Sequence, residues 1–353
     1  MGTIKLAVIG LGNMGRSMIH RLVPRYVDRV ELVALCDSSE ESLRRESEAA
    51  GGGAKLYTDY RTLLAETDAD LVYIAVPPSM HFDAAKRAFE RGMHVFCEKP
   101  LANSLEEAEA LLELARNSDR LNVVHFSFPL EPAVLKFKQL IEERFPAPTA
   151  SETQSGRSEP ADSGRAASPR IDLYLEFPQW PRAWQRNDWI STRREGGYLL
   201  EVGIHWIHMI QQVFGPIAQV RSDVRFPDGG GQCESTVEAV LRLEDEREIY
   251  LSGTDHRDGE ERVSLVVRGE AGTVALENWG NLFAGAAGEK PRPVEVSGDE
   301  ESGELPIFKQ VLRILDGQPG TVYDFRDGYN AQVVLEALRN PAGGWTDLTR
   351  RLV

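Results

Sequence analysis

An apolar run, Ile4-Lys5-Leu6-Ala7-Val8-Ile9, leads directly into Gly10-Leu11-Gly12-Asn13-Met14-Gly15, and Asn13 to Leu22 then reads as a helix. No other feature of the chain constrains its fold as tightly. The apolar run predicts a buried strand. A G-x-G-x-x-G between a strand and a helix is the dinucleotide-binding fingerprint in its meaningful context. Gly10 permits a tight turn, Gly12 lets backbone N–H groups approach a pyrophosphate, and Gly15 lets the helix pack close to the strand. The helix N-terminus adds partial positive charge, so Leu11, Asn13 and Met14 join the glycines as candidate cofactor contacts. A second apolar run, Val30 to Cys36, ends in Asp37. That acid lies about 20 residues past Gly15, where a carboxylate meets the adenosine ribose. Asp37 favours NAD because it repels the 2′-phosphate of NADP; Ser38, Ser39 and Arg44 keep NADP open.

Strands and helices alternate through residue 126. The predicted strands are Ile4–Ile9, Val30–Cys36, Leu71–Val76, His94–Cys97 and Asn122–Phe126. Helices are predicted at Ser39–Ala50, Tyr60–Ala65, Phe82–Arg91 and Leu105–Asn117. This pattern implies βαβ units: an α/β Rossmann domain over 1–126, its parallel sheet covered by helices on both faces. The pattern then changes. Ala133–Glu143 reads as a helix, and Pro146–Arg170 lacks Ile, Leu, Val, Met and aromatic residues, as a flexible insertion would. Strand-like runs at Ile171–Phe177, Ile217–Phe226, Thr236–Leu243, Glu248–Ser252, Val263–Val267 and Thr273–Glu277 are separated by turn residues. Helical segments return at Pro306–Leu315 and Asp327–Leu338. Residues 127–353 are therefore expected to form an α+β domain with a mostly antiparallel open sheet.

A chain of 353 residues suits two domains. Its net charge of −15 argues against nucleic acid as a partner, since that binding needs a basic face. No apolar run approaches the roughly 20 residues that span a membrane, and no signal-peptide pattern opens the chain. Cys36, Cys97 and Cys233 have no metal-like spacing; an odd, sparse set suits a reducing cytoplasm.

A second motif lies in Leu71 to Ala102. One strand breaks at Val76-Pro77-Pro78 and the next ends in Glu98-Lys99-Pro100, both at the carboxyl edge where open α/β sheets bind ligands. Val76, Pro77, Glu98 and Lys99 are thus candidate cofactor contacts, and His81 just after the turn is a candidate helix cap. GLGNMG, Cys36-Asp37, AVPPSMH at 75–81, EKPLA at 98–102 and EGGYLLEVGIHWIHMI at 195–210 together resemble the Gfo/Idh/MocA oxidoreductase family over nearly the whole chain. The resemblance implies a Rossmann domain followed by a sheet domain that closes over the nicotinamide near Lys99. It also implies sugar, cyclitol or polyol substrates, a cis Lys99–Pro100 bond, no metal, and a homodimer or homotetramer built on the open sheet. By the same resemblance His81 is a further cofactor contact, the alternative to a helix cap.

The family's D-x-G-x-H-x-x-D pattern is here Glu201-Val202-Gly203-Ile204-His205-Trp206-Ile207-His208, with both acids replaced. Helical spacing puts residues 201, 205 and 208 on one face, so Glu201 can reach His205. Oxidising a secondary alcohol requires removal of its O–H proton, a role suited to His205. Lys99 can stabilise the developing alkoxide, and Glu201 can orient or relay. Two other readings stay open: His205 and His208 as packed helix residues, and a three-ligand metal site made with Glu201. The family's Arg-Phe-x-Pro is replaced by Pro129-Leu130-Glu131-Pro132, and Arg186 stands where a basic site residue is often found. Trp180, Trp184 and Trp189 offer either stacking or packing surface. The expected function is NAD(P)-dependent oxidation or reduction at a CH–OH centre. The alternatives are reduction of an unsaturated or aromatic-derived substrate, and a non-catalytic NAD(P)-binding regulator.

Overall fold

The computed structural model describes residues 2–148, 168–185, 187–296 and 305–353. Most of the expected insertion, residues 149–167, lies outside the described residues, as does Arg186. The chain divides into two compact units, Met1–Ser127 with Glu304–Gln332, and Phe128–Gly303 with Val333–Val353. A single cut at 126/127 leaves out the return of 304–332 to the first unit.

The first unit is built on a six-stranded parallel sheet. Its strands are β1 (Ile4–Ile9), β2 (Val30–Cys36), β3 (Lys55–Tyr57), β4 (Leu71–Ile74), β5 (His94–Cys97) and β6 (Asn122–Val124), in the order β3-β2-β1-β4-β5-β6. The order reverses direction between β1 and β4, which opens a crevice at their carboxyl ends. All four residues of β4 are buried, as expected for a strand covered on both faces. β3 has no apolar run because it is a short, largely exposed edge strand. The predicted strands ending at Val76 and Phe126 stop earlier, at Ile74 and Val124. The predicted first helix is α-helical only over Asn13–Ser17; it widens to a π-turn at Met18–Leu22 and tightens to 3₁₀ at Val23–Tyr26.

Helix starts follow local chemistry. Ser39, Asp59 and Ser104 accept from the N–H groups of Ser42, Arg61 and Glu107, capping Glu40–Ala49, Tyr60–Glu66 and Leu105–Arg116. The returning segment packs hard on the outer side of the sheet. Asn122 Oδ1 accepts from Phe325 N–H at 2.9 Å, and Gln332 makes paired bonds with the Ala102 backbone at 3.2 and 2.9 Å. A Cβ on Gly328 would stand 2.7 Å from Val124 Cγ2, so glycine is what lets this helix approach.

The second unit carries a nine-stranded sheet. Its strands are β7 (Arg170–Glu176), β8 (Ile217–Arg225), β9 (Thr236–Leu243), β10 (Glu248–Thr254), β11 (Arg262–Gly269), β12 (Gly272–Glu277), β13 (Asn281–Gly285), β14 (Arg292–Pro293) and β15 (Thr346–Asp347). All pairings are antiparallel except β7 with β10. Arg170, placed in the insertion by composition, opens β7. Ile171, Leu173 and Leu175 are fully buried, at the two-residue period of a strand with one face in the core. The helix Ile204–Phe214 lies on that side: a Cβ at Gly203, just before it, would meet Leu175 Cδ1 at 3.4 Å. The opposite face is polar and holds a cavity of about 720 Å³ lined in part by Arg170, Tyr174, Arg221, Glu238 and Tyr250.

Candidate active site

In the first unit the glycine loop is shaped by its neighbours. Gly10 has φ of +94°, and a Cβ there would lie 2.4 Å from the Ala75 carbonyl oxygen. A Cβ on Gly15 would lie 1.9 Å from the Gly10 oxygen, so the helix can sit this close only with glycine. Gly12 differs: a Cβ there would meet nothing within 4 Å. It faces open space at a helix start that no side chain caps, where early N–H groups lack intrahelical partners. This cradle of backbone donors fits a dinucleotide pyrophosphate. Asn13 is exposed and Met14 half-buried beside it, whereas Leu11 is buried and its N–H donates to Asp37 Oδ2 at 2.8 Å. Asp37 Oδ1 accepts from Ser39 N–H at 2.9 Å. Two amides thus hold the half-buried Asp37 carboxylate, with spare lone pairs for ribose hydroxyls. Ser38 is exposed.

At the carboxyl ends of β4 and β5, Val76, Pro77 and Lys99 are half-exposed and Lys99–Pro100 is cis. His81 corrects an expectation. It is fully buried, with Nδ1 2.8 Å from Pro100 O and Nε2 2.9 Å from Val76 O. A side chain so enclosed ties the two strand-end turns together and has no surface for a cofactor. Burial pulls its pKa below the imidazole value, against the two carbonyls that favour protonation. Glu98, also expected at the cofactor, is buried as well. Its Oε1 accepts from Tyr73 Oη at 2.5 Å and lies 2.6 Å from His125 Nδ1. Burial alone would raise the Glu98 pKa; His125 and Tyr73 outweigh it and pull the carboxyl down to about 2. This buried network anchors the residue before Lys99. Sequence reasoning missed Tyr73 and His125, although polar rings inside buried parallel runs were the available signal.

In the second unit Glu201 and His205 are both half-exposed. Glu201 sits in a π-turn, Leu199–Gly203, and His205 in the first turn of the helix Ile204–Phe214. The wide turn changes the uniform 3.6-residue spacing assumed for residues 201, 205 and 208; such turns are frequent at functional sites. The turn is anchored from outside, because Glu234 Oε1 accepts Leu199 N–H at 2.7 Å. Glu234 is fully buried, which raises its carboxyl pKa. A Cβ on Gly197 would lie 2.4 Å from Glu234 Oε2, which accounts for glycine there. His208 is 1% exposed, and burial together with the nearby His205 pushes its pKa well below that of free imidazole. Among the described residues no group of three or more His, Cys, Asp or Glu is placed to hold a metal, so the Glu201–His205–His208 metal reading gains no support.

The aromatic segment divides in role. Trp180 packs on Phe177 at 5.0 Å and on Tyr198 at 6.0 Å, and its Nε1 donates to Ile190 O. Trp184 is 62% exposed. Arg182 stacks over Phe177 and Trp180 and pairs with Glu261 at 2.7 and 2.6 Å. A ring beside His205 comes from elsewhere in the chain: Trp279, with centroids 5.6 Å apart and planes at 84°.

With this geometry described, the chain can be set beside known proteins. The family model for the oxidoreductase family with an NAD-binding Rossmann fold matches residues 4–126, and that for the GFO/IDH/MocA C-terminal domain matches residues 170–275. Inositol 2-dehydrogenase of Salmonella typhimurium is 29% identical over 141 residues, covering 40% of this chain and 42% of that protein. D-apiose dehydrogenase of Paraburkholderia graminis is 33% identical over 130 residues, covering 37% and 34%. In both, the match spans less than half the relative's own length. The WlbA dehydrogenase of Bordetella pertussis, solved in complex with NADH and UDP-GlcNAcA, has the same fold, with a TM-score of 0.79, 21% identity, and 98% and 99% of the two chains covered. Among the described residues, no helix is long and apolar enough to cross a membrane.

Proposed function

The chain belongs to the Gfo/Idh/MocA oxidoreductase family, and from that footing we propose that it oxidises a secondary alcohol, or reduces the matching ketone, on a sugar, cyclitol or related polyol, with NAD favoured. The observation that carries this reading is the main-chain cradle: Gly12 opens onto free space at an uncapped helix start, beside an Asp37 carboxylate held by two amides. Gly12, Asn13 and Met14 would hold the pyrophosphate, Asp37 and Ser38 the adenosine ribose, and Val76 and Pro77 would line the carboxyl edge. Asp37 favours NAD because its fixed negative charge repels a 2′-phosphate. The nicotinamide, when bound, supplies or accepts the hydride.

The protein's own groups handle the proton and the charge. His205 takes the alcohol O–H proton, or returns it in the reductive direction. The Lys99 ammonium donates to the substrate oxygen as alkoxide character develops. Glu201 orients His205. The names of the relatives support a sugar or cyclitol as substrate. Three buried free cysteines suit a cytoplasmic setting, and the polar outer face of the large sheet is the surface for a homodimer or homotetramer.

The test is reduced-nicotinamide absorbance during incubation of the full chain with NAD or NADP and a panel of sugars and cyclitols. A rise with at least one polyol, greater with NAD, is expected. His205→Asn and Lys99→Ala should each lower turnover by about 10²–10⁴-fold and leave NAD affinity nearly unchanged. No rise with any polyol would overturn the reading; unchanged turnover in a variant would remove that residue's role.

A further inference from the structure

The tip of the hairpin between β12 and β13 is Asn278-Trp279-Gly280, closed by Gly280 N–H donating to Glu277 O at 3.3 Å. Both Asn278 and Trp279 have positive φ, 46° and 73°. Turns of this mirror-image kind match the twist of a hairpin and are normally made by asparagine and glycine. Asn278 fits that rule. Trp279 does not: a bulky side chain in the left-handed region is a true outlier and costs free energy. Strain of this kind persists where the surroundings hold it, and it clusters at functional sites.

The surroundings of Trp279 are specific. Its ring lies 5.6 Å from that of His205, nearly perpendicular, and packs on Phe128 at 5.0 Å and Trp206 at 5.8 Å. Trp206 is fully buried and Phe128 nearly so, so the indole rests on a fixed floor, while Trp279 itself stays half-exposed. The strained turn therefore puts a half-exposed indole beside the proposed acid/base.

We propose that Trp279 is a substrate-binding platform that selects ring-form polyols by stacking against their C–H face. The inference rests on the reading of His205 given above and narrows its substrate class. The face of an indole is electron-rich, and the axial C–H bonds of a pyranose or cyclitol form a weakly positive, apolar patch. A ring-form polyol can lie on this face, whereas an acyclic polyol has no such patch to offer. A glycine at 279 would relieve the backbone strain while giving up the packing on Phe128 and Trp206.

The test is calorimetric titration of the NAD-loaded full chain with myo-inositol, D-glucose, D-xylose and, as the acyclic control, glycerol. Trp279→Gly should bind the ring polyols about tenfold more weakly, with glycerol unaffected. Trp279→Phe, which keeps a smaller ring, should fall between. Where turnover is measurable, KM for the ring polyol rises about tenfold and kcat changes little. Equal binding by wild type and Trp279→Gly would overturn the platform while leaving the oxidoreductase reading intact. So would equal losses for glycerol and the ring polyols, or a wild type that binds none of the ring polyols. Dinucleotide-dependent turnover separately decides the wider reading.

Discussion

Glu98 and His208 are buried to a similar degree, 7% and 1% exposed, and they meet burial in opposite ways. In the first unit Glu98 keeps its charge, because Tyr73 and His125 converge on one carboxylate oxygen and outweigh the desolvation penalty. In the second unit burial, together with the nearby His205, favours the neutral form of His208. Gln212 Nε2, a donor only, lies 3.4 Å from His208 Nε2, which a neutral ring can accept. One unit thus fixes its strand end with a buried polar network, and the other fixes its helix with apolar packing. The difference teaches where each unit is vulnerable: the first to loss of a partner, the second to gain of a charge.

The largest effect should come from breaking the network. Glu98→Ala leaves the Tyr73 hydroxyl and the His125 imidazole without their shared acceptor, and stability should fall by about 3–5 kcal/mol. Glu98→Gln keeps an acceptor oxygen and should cost about 1–3 kcal/mol. Urea unfolding of the full chain measures both. A loss below about 1 kcal/mol in Glu98→Ala would mean that the network is not an anchor, and the contrast with His208 would collapse.

A smaller effect sharpens the comparison from the main-chain side. Gly12 and Gly15 belong to the same loop but face different surroundings. Gly12→Ala should leave the melting temperature nearly unchanged and weaken NAD binding by roughly tenfold, since the new methyl occupies the open cradle. Gly15→Ala should destabilise the fold, because its methyl meets the Gly10 carbonyl oxygen. Paired thermal melts and NAD titrations check this. Equal loss of stability in both variants would show that Gly12 serves the turn and not a ligand.

The two units also differ in how far their sequence reveals them. β1, β2 and β5 are mostly apolar runs whose expected and observed limits coincide, because strands of a sheet covered on both faces are nearly continuous in apolar residues. β3 was not legible, since an exposed edge of three residues carries no apolar signal. β14 and β15 are two residues each, too short for any periodicity. The glycine loop was legible because its function lies in backbone geometry, which dictates residue type. The surroundings of His205 were less so. A helical repeat assumes even spacing, and the π-turn at Leu199–Gly203 breaks it. Glu234 and Trp279 reach that helix from distant stretches of chain, and no local pattern reports such contacts. His81 was misjudged for a related reason: a histidine at a helix start next to a ligand edge looks functional until its burial is known.

The smallest effect tests the gain of charge directly. The folded-state pKa of His208 lies well below the ordinary 6.5, so above pH 6.5 neither folded nor unfolded chain protonates it and it contributes no pH dependence. As pH falls below 6.5, the unfolded chain takes up a proton that the folded chain refuses, and stability drops by at most about 1.4 kcal/mol per pH unit. Glu98 acts in a different window: its contribution is full above its ordinary 4.5 and is lost as pH falls toward about 2. Between pH 6.5 and 4.5 the loss of stability on acidification therefore comes from histidines, opposed by Glu234, whose raised pKa makes the folded chain take up its proton first. His81 and His94, whose pKa values are also lowered by burial, push in the same direction as His208 and remain as a background. His208→Leu should flatten, without abolishing, the fall in urea midpoint between about pH 7 and about pH 5. An unchanged slope would mean that His208 takes up its proton as readily in the folded chain as in the unfolded one, so that burial does not hold it neutral and the contrast with Glu98 fails.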